Sequence, residues 1–254
     1  MILDAIVARK YEEVAILKQQ GLPVMERPVA PPRGFLHALL AAQSVAIIAE
    51  AKKASPSKGV IEPDFDPVRI ARSYQDGGAH CLSVLTDVDF FQGALLFIPL
   101  VREAVELPVL RKDFIIDPIQ IEEARVAGAD AILLIAAILE KEQLRDFRLQ
   151  AESHNMDVLV EVHDERELDT ALQSGARLIG INNRNLNDFT VSLETTFQLL
   201  PKIPSTIPVV SESGITSAAD IRRLKEAGVK AALIGESLMR AGQKDQLLRE
   251  FLAI

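Results

Sequence analysis

The chain has no tryptophan, a single cysteine and fewer basic than acidic side chains. Each shortage excludes something. One thiol, Cys81, cannot form an internal disulfide, so stability has to come from a buried core, and Cys81 reads as a small core residue in a reducing compartment. Aromatic residues make up 5% of the chain against 48% hydrophobic overall, which makes that core aliphatic. A formal net charge of −8 argues against nucleic acid or an anionic membrane as partner, because both require a basic face. Long apolar runs are also missing: "AILLIAAIL", between Asp130 and Glu140, is too short to span a bilayer. The opening "MILDAIVARKYEEV" carries charges throughout and lacks a signal-peptide segment, so a cytoplasmic chain is expected.

Several chemistries lack their parts as well. The four histidines, His37, His80, His154 and His163, are scattered without ligand spacing or a cysteine cluster, so no metal site is expected. His163 reads as a loop or satisfied polar residue. No histidine is aimed at a serine from a strand end, and no glycine-rich dinucleotide fingerprint follows the first apolar run. Lysine and glutamate chemistry remains.

What the chain does have is repetition. Eight short apolar runs recur: "VAIIAE", "CLSVLT", "PVLRK", "AILLIA", "DVLVEV", "RLIGI", "PVVSES" and "AALIGES". Stretches with helical spacing lie between them, and four of these end in glycine just before the next run, as in "AGADAILL" and "SGARLIGI". Strands that are apolar without strict alternation belong to parallel sheets covered by helices, and eight of them predict a closed (β/α)₈ barrel. A single barrel domain over 1–254 is expected, with 1–45 as a helical extension. That extension holds one amphipathic helix (Ile2, Ile6, Val14, Leu17), a Pro-rich connection "PVMERPVAPPRG" and a second helix near "FLHALLAAQ". A lid or a cap on the barrel bottom is the simplest role for it.

In such barrels active sites collect at the C-terminal ends of the strands. Reading only those positions gives Glu50 and Lys52, Thr86 and Asp87, then Lys112 and Asp113 after the first three strands. The later strands add Glu161, then Asn182 and Arg184, then Glu212 and Ser213, then Gly235 and Glu236. Any one of these could be a solvated loop residue; their convergence on one mouth is harder to dismiss. "SESGIT" and "IGESLMR" follow strands seven and eight, where backbone N–H groups often hold phosphate, and Gly214 and Gly235 would let the chain approach the oxygens closely. A negatively charged protein that binds an anion needs a local basic cluster, which Lys52, Lys112 and Arg184 supply.

In order, "IAEAKKASPSKG", "SVLTDVDFFQG", "LRKDFIIDP", "LVEVHDERELDTAL", "GINNRNL", "SESGI" and "LIGESLMR" resemble the indole-3-glycerol phosphate synthases of tryptophan biosynthesis, over essentially the whole chain. Because the sequence stops at Ile254, it resembles the form not fused to phosphoribosylanthranilate isomerase. The resemblance implies a carboxy-lyase acting on 1-(2-carboxyphenylamino)-1-deoxyribulose 5-phosphate, closing an indole ring with loss of carbon dioxide and water and without a cofactor. By motif, Lys112 would be the general acid and Glu161 the general base of the dehydration, with Glu50, Lys52, Asn182 and Ser213 completing the catalytic set. The sequence leaves open which lysine, Lys52 or Lys112, is the acid in each step. Arg184 and Lys52 suit the substrate's anionic groups, and Ser213, Gly214, Gly235 and Glu236 resemble a phosphate cradle. Phe91, Phe114, Leu133 and Leu186 would wall the aromatic ring, Leu233 would join the substrate contacts, and Ser55 with Pro56 would shape a closing loop. Lys53 and Lys58 read as solvated. Two positions depart from the family pattern: Asn185 stands where many relatives have aspartate, and "LLIAAIL" offers alanines where some have lysine. A phosphorylated small molecule is the expected partner, and a monomer the expected state. A sugar-phosphate epimerase would want paired carboxylates and metal-binding histidines, and a silent sensor barrel would have lost its strand-end residues.

Overall fold

The computed structural model describes residues 2–24, 29–186 and 188–254. Eight parallel strands close into a barrel: β1 (Ala46–Ala51), β2 (Cys81–Leu85), β3 (Val109–Lys112), β4 (Ala131–Ile135), β5 (Asp157–Val162), β6 (Ile179–Asn182), β7 (Val209–Glu212) and β8 (Ala231–Ile234). Each strand pairs with its sequence neighbours, and β1 closes the ring against β8, with Ala46 opposite Ala231. The (β/α)₈ expectation holds.

The strands are buried on both faces, yet their side chains sort by parity into two cores. In β1, Ala46 and Ile48 point into the barrel with Cys81, Leu110, Leu133, Leu159, Val210 and Leu233. Ile47, Ala49 and Ala51 point outward, under the helices, with Leu82, Ile132, Val160, Ile181 and Ala232. This period of two follows from the pleat and fixes which strand-end residues can reach the mouth.

The covering helices are α3 (Pro67–Asp76), α4 (Phe97–Ala104), α5 (Pro118–Ala127), α6 (Lys141–Ser153), α7 (Glu165–Gln173), α8 (Glu194–Leu199) and α9 (Ala218–Ala227), followed by α10 (Glu236–Arg240) and α11 (Lys244–Leu252). Their starts are written locally. Asp66, Asp117, Asp164 and Ser217 each accept a backbone N–H from the first turn of the following helix, a contact that stabilises a helix by about 1 kcal/mol. The glycine joints read from sequence also appear, with Gly78, Gly128, Gly175 and Gly228 in the left-handed conformation.

The two helices before the barrel sit at opposite ends of it. In α2 (Phe35–Ala41), Phe35 and Leu39 belong to the interior core, and the Leu36 N–H donates to Asp157 Oδ2 (2.8 Å) at the start of β5, so this helix plugs the barrel bottom. In α1 (Ile2–Gln20), Ile2, Leu3 and Ile6 line the cavity at the mouth. The Pro-rich connection between them lies partly, at 25–28, outside the described residues. Among the described residues no helix is long and apolar enough to cross a membrane.

Candidate active site

Parity builds the site. Continuing the inward series of each strand by two residues takes Ile48 to Glu50, Leu110 to Lys112, Leu159 to Glu161 and Val210 to Glu212. The same step takes Leu178 through Gly180 to Asn182. The ladder puts these residues near one height, with Glu161 opposite Gly180 and Asn182 opposite Glu212. A charged layer therefore caps an apolar interior.

Lys112 is the centre of that layer. Its Nζ donates to Glu161 Oε2 at 2.6 Å and to Glu212 Oε2 at 3.0 Å. Burial alone would lower the lysine's pKa, but Glu161, Glu212 and Glu50 outweigh it and hold the ammonium above the ordinary lysine range. The two carboxylates are pushed apart. Burial raises Glu161, yet the Lys112 charge and the contact with His163 overcome it and keep the group ionised. Glu212 goes the other way: burial and the neighbouring Glu161 charge exceed the help from Lys112 and push it up to about 7. Its Oε1 is buried without a hydrogen-bond partner among the described residues. Asn182 donates from Nδ2 to Glu161 Oε1 (3.2 Å), which fixes the carboxylate's second oxygen.

A second pair stands across the mouth. Lys52 Nζ lies 2.7 Å from Glu50 Oε1, and Ser83 Oγ reaches the other oxygen at 3.4 Å. Gly235 is what admits this pair, because a Cβ there would lie 2.4 Å from Glu50 Oε1 and 3.2 Å from Lys52 Nζ. That is a second reason for the glycine, besides the close approach to an anion expected from sequence. The loop after β1 folds back as a short hairpin, Ala54–Ser55 against Gly59–Val60, with Ser55 and Pro56 on the cavity wall. Lys58, read as solvated, is exposed and stands 3.6 Å from Glu236.

Arg184 and Glu236 face each other at the rim, 3.8 Å apart. Ser213 and Gly214 both hold positive φ (66° and 80°), so the turn after β7 is bent sharply over the cavity. Phe91 and Phe114 pack with ring centroids 6.0 Å apart. Together with Leu133, Leu186 and Leu233 they form the apolar wall. The residues expected to touch substrate thus border one cavity, the basic cluster of Lys52, Lys112 and Arg184 among them, whereas Thr86 and Asp87, noted as strand-end residues, are not among its lining residues. Lys52, Lys112 and Arg184 each already face a carboxylate.

Four contributions escaped the sequence reading. Glu212 was noted only as a strand-end residue, and its parity with Val210 was the available signal. Phe189 joins the wall from the loop after β6. His163, read as a loop or satisfied polar residue, follows β5 and meets Glu167, but its place beside Glu161, with Nε2 3.3 Å from Glu161 Oε1, was not foreseen. On α1, Lys10 is 2% exposed, and its Nζ lies 2.9 Å from both Asp87 and Asp113 and 2.8 Å from Glu13. Asp87 in turn accepts the N–H groups of Phe90 and Phe91, so one buried ammonium ties α1 to the loop that carries Phe91 and, through Asp113, to the end of β3 beside Lys112. The altered loop position, Asn185, closes its turn through its backbone, donating to Thr190 O and accepting from Phe189 N–H, both at 2.9 Å.

Comparison with known proteins identifies relatives over nearly the whole chain. A curated indole-3-glycerol phosphate synthase of Desulfotalea psychrophila is 61% identical, with 98% of this chain and 97% of that one aligned. A second, from Polaromonas naphthalenivorans, is 51% identical over the same shares. Among solved structures, a 3-hexulose-6-phosphate synthase superposes with a TM-score of 0.66 at 15% identity, covering 82% of this chain and 99% of that one, which supports the barrel alone. The family model for indole-3-glycerol phosphate synthase matches residues 3–251, and the chain belongs to that family.

Proposed function

We propose that the Lys112, Glu161 and Glu212 cluster divides the acid and base work of the family's reaction. The activity is that of an indole-3-glycerol phosphate synthase, a carboxy-lyase of tryptophan biosynthesis. In the proposed sequence the substrate's phosphate rests on the turns at Ser213–Gly214 and Gly235–Glu236, near Arg184 and Lys52. Its aromatic ring lies against Phe91, Phe114, Leu133 and Leu186, so the ketone falls over Lys112.

As the ring carbon bearing the carboxylate attacks the ketone carbon, the Lys112 ammonium gives a proton to the ketone oxygen, which becomes a hydroxyl. The carbon–carboxylate bond then breaks, carbon dioxide leaves, and its electron pair restores the ring. In the last step the hydroxyl departs as water with a second proton from a lysine, while Glu161 takes the proton released as the five-membered ring becomes aromatic. One carbon dioxide and one water leave per indole formed. Glu212, poised between its two protonation states, recharges Lys112.

The observation that carries this reading is the direct contact of Lys112 Nζ with a carboxylate held ionised (2.6 Å) and one held near neutrality (3.0 Å). Such a pairing of opposite proton affinities on one buried donor is what sequential acid and base steps require. The test is turnover of the carboxyphenylamino-ribulose phosphate by purified protein, followed by indole fluorescence and released carbon dioxide. Equimolar appearance of both supports the reading; fluorescence without carbon dioxide, or neither, overturns it.

A further inference from the structure

The ring of His163 lies between two carboxylates. It is the residue after β5, and it keeps the inward parity of Leu159 and Glu161. Its Nε2 lies 3.3 Å from Glu161 Oε1, its Nδ1 lies 2.9 Å from Glu167 Oε2, and its side chain is 12% exposed. The same Glu167 oxygen accepts the His163 backbone N–H at 2.8 Å, and Asp164 in turn caps the Glu167 N–H at 2.8 Å. The first turn of α7 therefore fixes both the ring and the chain that carries it.

Glu161 uses its two oxygens differently. Oε2 takes Lys112, while Oε1 faces Asn182 Nδ2 at 3.2 Å and His163 Nε2 at 3.3 Å. A lysine that turns to protonate a ketone leaves Oε2, and it takes away the positive charge that favours the carboxylate. What stays at Oε1 is the hydrogen bond from the Asn182 amide and the nearby imidazole, whose Nε2 has no hydrogen-bond partner among the described residues and acts on the carboxylate through its charge.

We propose that His163 is a positioning residue which, as a cation braced by Glu167, holds Glu161 ionised and aimed with Oε2 free while Lys112 serves the substrate. The proposal rests on the assignment of Glu161 as base. The charged groups facing the ring are Glu161 on β5 and Glu167 on α7, both acidic. Burial opposes the charge on the ring, but these two contacts outweigh it and push the imidazole up to about 10. A cation that close favours the carboxylate form of Glu161, so removing it raises the proton affinity of the base.

The test compares pH profiles of kcat and KM for the wild type, His163→Gln and Glu167→Gln. For His163→Gln the acid limb of kcat is expected to move up by about one pH unit, with KM changed less than about twofold. Glu167→Gln, which frees the imidazole without deleting it, is expected to move the limb in the same direction by less. Proton-coupled 15N NMR of the unsubstituted enzyme supplies a readout that needs no variant: His163 should carry hydrogens on both ring nitrogens at pH 8. A neutral ring there, or variants that lose melting temperature while the limb stays in place, overturns the proposal. If Glu161→Gln retains near-wild-type turnover, the base assignment itself fails; if it is inactive while the His163→Gln limb is unmoved, only the role of His163 falls.

Discussion

Gly180 and Glu212 sit on adjacent strands, and a Cβ on Gly180 would lie 2.1 Å from Glu212 Oε1. The glycine is therefore the floor on which that carboxylate rests. Gly180→Ala should displace Glu212 and, through it, Lys112. Overpacking of this kind costs about 1 to 3 kcal/mol, and displacement of a reacting group by about 1 Å can cost about 100-fold. We expect kcat to fall by about 10- to 100-fold with a folded protein, measured by steady-state kinetics beside a thermal melt.

Glu212, pushed up to about 7 by burial and by Glu161, titrates in the working range. The profile of kcat/KM against pH should show an ionisation near that value, and Glu212→Gln should remove it while keeping the side chain's shape. An unchanged profile in the variant would assign the ionisation elsewhere.

Lys10 holds three carboxylates from a buried position on α1. Lys10→Met would leave Asp87 without that cation, and removing one member of a buried ion pair typically costs about 3 to 5 kcal/mol. Urea unfolding should register a loss of that order, and KM should rise as Phe91 and the α1 wall loosen. Asp113 adds a pH signature. Although burial raises its pKa, Lys10 and Arg111 pull it below the ordinary carboxylate range. Its contribution is therefore present above the unfolded value of about 3.9 and is lost as pH falls below that. The wild type should lose stability between about pH 4 and pH 2 more steeply than Lys10→Met does, as read from acid unfolding followed by circular dichroism.

Inorganic phosphate should raise the melting temperature by mass action if the turns after β7 and β8 hold the substrate's phosphate. Arg184→Ala should blunt the rise in a thermal-shift titration at tens of millimolar phosphate.

Local chemistry carried most of the fold into the sequence. Apolar runs closed by glycine joints, and Asp or Ser ahead of four of the covering helices, are short-range signals, and Asp117 or Gly128 can be read without knowing what lies across the barrel. The strand-end residues were legible for the same reason, since parity from Ile48 to Glu50 or from Leu159 to Glu161 needs only the pleat. Lys10 was not legible, because its partners Asp87 and Asp113 are brought to it only when the barrel closes. His163 depended on whether the inward parity of β5 outlasts the strand, which it does by one residue. The pairing of every mouth cation with a carboxylate was hidden too: Arg184 meets Glu236, and Lys58 reaches the same acid, only across loops that share a rim. Nor could amphipathic spacing say that α1 covers the mouth while α2 plugs the bottom.

The central claim is that Lys112 is the proton donor of ring closure. Its most direct test is kcat of Lys112→Ala against wild type, followed by indole fluorescence with the carboxyphenylamino-ribulose phosphate saturating. A fall of about 100-fold or more, the loss expected for a general acid, with the melting curve still cooperative, is the predicted result. Turnover within a few fold of wild type would contradict it.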